Sequence, residues 1–161
     1  MPDAGDRVRG KMTRAPDPSS KLSSEATECD RVLRVAVLDD DEAMVDAIAT
    51  VLGMRGLEVQ GFIGQGELAE AVSKTRFDAY VLDWLLGDAT ALDVVIQLRG
   101  DPANHNTPIF LLSGNLALSG VPIDPVLAQT ITAHRLFYRA KPYSMRLLAR
   151  DILIAHEGGT P

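Results

Sequence analysis
The chain has 161 residues, of which 46% are hydrophobic and 24% charged, the balance of one ordinary globular domain plus a tail. Its net charge is −6: residues 1–34 hold 7 Lys/Arg and 6 Asp/Glu and the remainder 9 and 16, a bias opposite to that of a general nucleic-acid binder. No apolar run approaches the ~20 residues of a membrane span, no signal-peptide pattern is present, and the single cysteine, Cys29, excludes an internal disulfide and fits a reducing cytoplasm.

Residues 1–31 carry Pro, Gly, Ser and mixed charge without an apolar period, and are expected to be a disordered arm. Acids interleave with Arg7, Arg9, Lys11 and Arg14, so these basic residues read as part of a solvated tail. From residue 32 the pattern changes. Val32, Leu33 and Val35–Leu38 form a short apolar run that suits a strand buried on both faces. Met44, Val45, Ile48, Val51 and Leu52 recur at helical spacing, and Gly53 and Gly56 mark the end. Leu57, Val59 and Phe62 predict a second strand, and Leu68, Ala71 and Val72 one face of a second helix.

Ala79–Leu82 is the third predicted strand. Thr90 and Asp93 have capping-box-like spacing before a third helix through Leu92, Val95, Ile96 and Leu98. Ile109–Leu112 predicts a fourth strand, Val126–His134 a fourth helix, Leu136–Tyr138 a short fifth strand, and Met145–Leu153 a last helix. The alternation is strand–helix five times over, which makes a doubly wound five-stranded parallel sheet with helices on both faces. The domain is expected over 32–157, with a short tail at 158–161.

In such sheets ligands bind at the carboxyl ends of the strands. There the chain places Asp39, Asp40, Asp41 and Glu42 after strand one, Asp83 after strand three, Ser113 after strand four and Lys141 after strand five. Carboxylates crowded at one edge repel one another unless a hard cation such as Mg²⁺ is present. A hydroxyl and an ammonium beside them could each hold an oxygen of a tetrahedral anion, and a carboxylate can itself be the nucleophile that forms an acyl phosphate. The bland readings are an acidic helix start at 39–42, a turn or N-cap role for Asp83, a turn serine at 113 and a surface lysine at 141. Trp84 reads as a packing or partner-contact residue, and the three histidines lack ligand spacing.

The segments VAVLDDDEAM (35–44), YVLDWLLGD (80–88), PIFLLSGN (108–115) and FYRAKPYS (137–144), each after the appropriate strand, resemble the receiver domains of bacterial two-component response regulators. The resemblance implies a flavodoxin-like fold and a phosphorylation-controlled switch. It makes Asp83 the phosphoacceptor and Asp40 a direct Mg²⁺ ligand, with Asp39 acting through water and Leu85 through its backbone carbonyl. Ser113 and Lys141 would serve the phosphoryl group, Ser113 and Tyr138 would form the switch, and a cis bond would precede Pro142. The implied partners are a histidine kinase or phosphotransfer protein and a downstream protein on the face of the fourth helix, fifth strand and last helix. No nucleic acid or membrane is expected, and homodimerisation is left open. The chemistry implied is Mg²⁺-dependent self-phosphorylation and dephosphorylation, not turnover of an outside substrate.

The chain departs from the family pattern twice. The loop after the acceptor reads Gly87-Asp88-Ala89-Thr90-Ala91, with Ala91 where a glycine is common, and extra residues lie in 116–125. These departures keep open a receiver-like interaction module that is not phosphorylated. A Mg²⁺-dependent phosphatase of another α/β fold is disfavoured, because Asp39, Asp41 and Ala43 do not complete that class's motif. Too few residues follow the last helix for a DNA-binding domain, so the output is expected to be protein–protein unless the chain is a piece of something larger.

Overall fold
The apolar run after residue 32 does become a strand, β1 (Arg34–Leu38), with Val35 to Leu38 all buried. The computed structural model describes residues 31–114 and 124–161. Residues 1–30 of the expected arm at 1–31 and most of the 116–125 insertion lie outside the described residues. Val32–Pro161 form one unit of the chain.

After β1, the Asp41 carboxylate accepts from the N–H groups of Ala43 and Met44 at 3.0 and 3.4 Å and so starts α1 (Glu42–Gly53). Next come β2 (Glu58–Phe62), α2 (Gln65–Lys74) and β3 (Ala79–Asp83). Two short strands follow, β4 (Leu85–Leu86) and β5 (Ala89–Thr90), paired antiparallel. Then come α3 (Leu92–Gly100), β6 (Ile109–Ser113), α4 (Pro125–His134), β7 (Phe137–Ala140) and α5 (Met145–His156). The β4–β5 hairpin corrects one expectation: Thr90 is a strand residue, and α3 starts from Ala91 with no side-chain cap.

The five long strands form one sheet in the order β2-β1-β3-β6-β7, every pairing parallel. This is the strand order of the flavodoxin-like fold that the resemblance implies. Successive residues of a strand face opposite ways, and the core splits accordingly. Tyr80 and Leu82 pack with Leu68, Leu98 and Leu127 of α2, α3 and α4, whereas Ala79 and Val81 pack with Ile48, Leu52, Leu148 and Ile152 of α1 and α5. The order reverses between β1 and β3, so the carboxyl ends of these two neighbours open the crevice where such folds bind ligands. Among the described residues, no helix is long and apolar enough to cross a membrane.

Two polar side chains anchor helices to their neighbours. Arg99 donates from Nε to the His134 carbonyl at 3.0 Å, and from Nη1 to the carbonyls of Asn104 and Thr107 at 3.1 and 2.8 Å. Asp151, 1% exposed, accepts from Arg139 at 3.0 Å, Tyr143 at 2.6 Å and Arg150 at 3.2 Å. Burial alone would raise the Asp151 pKa, but these three donors more than offset it and hold the carboxyl below its ordinary value.

Candidate functional site
The end of β1 carries two acids that differ in setting. Asp39 is 3% exposed; its Oδ1 accepts the Asp41 N–H at 3.0 Å and its Oδ2 accepts Lys141 Nζ at 2.9 Å. Asp40 points to solvent, and its Oδ2 accepts the Gly87 N–H at 2.9 Å. Asp83 ends β3, the neighbouring strand, with its Oδ1 3.0 Å from the same Lys141 nitrogen. Asp39, Asp40 and Asp83 each offer an oxygen within 4.8 Å of the others. Asp41 and Glu42 stand outside this group, one as the cap of α1 and the other in its first turn.

Lys141 reaches the site because β7 is the neighbour of β6. Ser113 and Ala140 are partners in register, and the Lys141 N–H donates to the Ser113 carbonyl at 2.8 Å. The Lys141–Pro142 peptide is cis. Burial works against the Lys141 ammonium, but Asp39 and Asp83 outweigh it and raise its pKa, so it stays charged. For Asp83 burial is the largest influence and raises the pKa. Lys141 and the Trp84 backbone pull it down, Asp39 pushes it up again, and the net result lies above the ordinary carboxylate value. Three carboxylates around one ammonium leave a surplus of negative charge and of oxygen donors, a set that fits a hard divalent cation.

Ser113 ends β6 and is buried, 1% exposed. Tyr138 sits opposite Leu111 on β7, with its hydroxyl already turned inside. Burial raises the Tyr138 pKa, and the Ser113 side chain is close enough to lower it in part. No described residue completes a well-formed hydrogen bond with that hydroxyl. Leu85, the first residue of β4, has an exposed side chain.

Two features of the site escaped the sequence reading. Gly87 takes φ +62° at the first position of a two-residue turn between β4 and β5, a conformation that glycine adopts freely. It thereby supplies the turn that Ala91 cannot; Ala91 is instead fully buried, its N–H donating to the Trp84 carbonyl at 2.9 Å. Trp84 is also fully buried, and its Nε1–H donates to Asp124 Oδ2 at 3.2 Å. Gly87 followed by Asp88 was the available signal for the hairpin, but nothing in the sequence pairs residue 84 with residue 124.

No protein-family model matches the chain. Among curated proteins it is similar to the response regulator protein TodT of Pseudomonas putida, 25% identical over 114 residues, covering 71% of this chain and 47% of TodT. It is also similar to the sensory transduction protein RegX3 of Mycolicibacterium smegmatis, 29% identical over 126 residues, 77% of this chain and 51% of RegX3. The chain thus spans about half the length of these curated relatives. Among solved structures, the receiver domain of the Francisella response regulator 1452 superimposes with a TM-score of 0.66 at 21% identity, over 78% of this chain and 98% of that one. A CheY-like receiver domain protein from Methanospirillum hungatei JF-1 gives 0.67 at 19% identity, over 80% and 96%. The fold is that of response-regulator receiver domains, and the curated matches at low identity are response regulators across the same region.

Proposed function
We propose that this chain is a phosphorylatable receiver domain, in which Asp83 accepts a phosphoryl group and the change is read by another protein. The observation that carries this reading is Lys141 Nζ lying 2.9 Å from Asp39 and 3.0 Å from Asp83 at the carboxyl edge of the sheet. A bound Mg²⁺, held by Asp40, Asp83 and the Leu85 carbonyl with Asp39 acting through water, would neutralise charge on the transferring phosphoryl oxygens. Asp83 keeps one oxygen on Lys141 and presents the other to phosphorus. The new O–P bond forms as the donor's bond to phosphorus breaks, to a histidine nitrogen in a kinase or phosphotransfer protein or to the acetate oxygen of acetyl phosphate. The product is an acyl phosphate on Asp83. Lys141 offsets its added charge of roughly −1.5 to −2, and the Ser113 hydroxyl donates to a phosphoryl oxygen. Ser113 and Tyr138 would relay the change to the α4–β7–α5 face, where a downstream protein would bind. Residues 1–31 would be an arm that takes no part in this, and the setting would be the cytoplasm.

One observation favours a second reading, an interaction module of the same fold that is not phosphorylated: the Tyr138 hydroxyl is already buried without any modification. Intact mass after incubation with acetyl phosphate and Mg²⁺ separates the two. The chain should gain one phosphoryl mass and Asp83→Asn none. No gain in the parent chain supports the second reading, and an equal gain in both means that the acceptor is another residue.

A further inference from the structure
At the opposite edge of the sheet, where β6 and β7 begin, a cleft of about 290 Å³ lies between the end of α3, the end of α4 and the turn after α5. Arg99, Arg135 and His105 line it with Thr107, Phe137 and Thr160, and no Asp or Glu is among its lining residues. The described domain is otherwise rich in acids, so this concentration of cationic side chains runs against the charge of its surroundings.

Arg135 sits at the C-terminal cap of α4 in a left-handed conformation, φ 54° and ψ 55°, where glycine is the usual choice. Its guanidinium is exposed and makes no hydrogen bond or ion pair with any described residue. Arg99 uses Nε and Nη1 on three carbonyls, which fixes the plane of its guanidinium and leaves Nη2 without a partner among the described residues. Burial, and then the like charge of Arg135, lower the Arg99 pKa, so the two guanidiniums are near enough to repel. Asp101 accepts from Ala103 and Asn104, and Glu157, just before Gly158, does not line the cleft. Phe137 and Ala155 give the cleft an apolar wall.

We infer that this cleft binds a small phosphate-type oxyanion, gripped by the Arg135 guanidinium and the Nη2 amino group of Arg99. The planar Arg135 fork matches a tetrahedral oxyanion, and Arg99 Nη2, on a guanidinium whose plane is already fixed, loses little freedom on binding. The volume lies at the lower end of ligand clefts, roughly 300 Å³. Inorganic phosphate or the monoester of a three-carbon skeleton fits this space; a dinucleotide does not. The site is separated from Asp83 by the length of β6, and does not depend on phosphorylation.

The test is amide NMR of the full chain in Mg²⁺-free buffer at constant ionic strength, titrated with inorganic phosphate and, separately, glycerol 3-phosphate. Saturable shifts are expected at Arg135–Phe137 and Gly158–Thr160. Arg135→Gly removes the charge and suits the left-handed backbone, so it should fold normally. It should weaken binding about tenfold or more, as loss of a charged hydrogen-bonding partner does. Tighter binding of glycerol 3-phosphate assigns the site to an organic monoester, and equal binding assigns it to the free anion. No saturation by ~10 mM, unchanged affinity in Arg135→Gly, or shifts confined to the neighbourhood of Lys141 would overturn the inference.

Discussion

The indole Nε1 of Trp84, the residue directly after Asp83, donates to Oδ2 of Asp124 at 3.2 Å. The other oxygen of Asp124 accepts the Val126 N–H at 2.8 Å and caps α4. The strand that carries the proposed acceptor is therefore held to the first turn of α4 by two bonds to one carboxylate. Trp84→Phe keeps most of the packing but removes the donor. Stability to urea should fall by about 1 kcal/mol, with amide shifts at Val126 and Leu127. Unchanged signals there would show that the indole only fills space.

Asp83 offers a test by pH. Its folded pKa is raised, chiefly by burial, so ionising it opposes folding. That penalty is absent below the ordinary carboxylate pKa, where the group is protonated in both states. It grows as pH rises through the folded value and then stays constant. In Mg²⁺-free buffer Asp83→Asn should melt at a higher temperature than the parent at neutral pH, and the gap should close on acidification. A variant that is less stable at neutral pH would mean that the Lys141 pairing outweighs burial.

Asp151 has the opposite sign. Its depressed pKa contributes stability above the ordinary carboxylate range, and this is lost as pH falls through the folded value. Asp151→Ala strands Arg139, whose side chain is only 17% exposed, and should cost about 3 kcal/mol at neutral pH. The difference from the parent should shrink in acid. Denaturant unfolding at several pH values measures both.

Asp40 is the exposed member of the acidic trio and holds the Gly87 N–H at 2.9 Å. Asp40→Ala removes an oxygen ligand and a charge, and should weaken Mg²⁺ binding by about tenfold or more. Trp84 fluorescence follows the titration, since Trp84 adjoins Asp83. Equal affinity in both proteins would remove Asp40 from the proposed ligand set.

Most of the sheet was readable because its strands are buried on both faces. Val35–Leu38, Ala79–Leu82 and Ile109–Leu112 are apolar runs with no competing helical period. Once the strands are ordered, Asp39, Asp40, Asp83, Ser113 and Lys141 fall at one edge without further information. The hairpin at Leu85–Thr90 was not readable, since a two-residue strand is shorter than any period. Thr90 misled for the same reason: its spacing to Asp93 suits a cap, but pairing with Leu85 claims it first. Trp84 with Asp124, and Arg99 with His134, are contacts between residues far apart in sequence, fixed only by how helices settle on the sheet. The inward Tyr138 hydroxyl depends on side-chain rotation, which the backbone pattern does not determine.

The Asp39–Lys141 ion pair joins residues 102 positions apart. A chain made from its N-terminus therefore exposes Asp39, Asp40 and Asp83 well before the ammonium that balances them. Until β7 arrives, the carboxyl ends of β1 and β3 form a self-repelling edge. Seating the last strand relieves that repulsion and completes the site in the same step. The proposed chemistry thus becomes available only to a chain whose sheet has closed, and a half-folded intermediate would lack it.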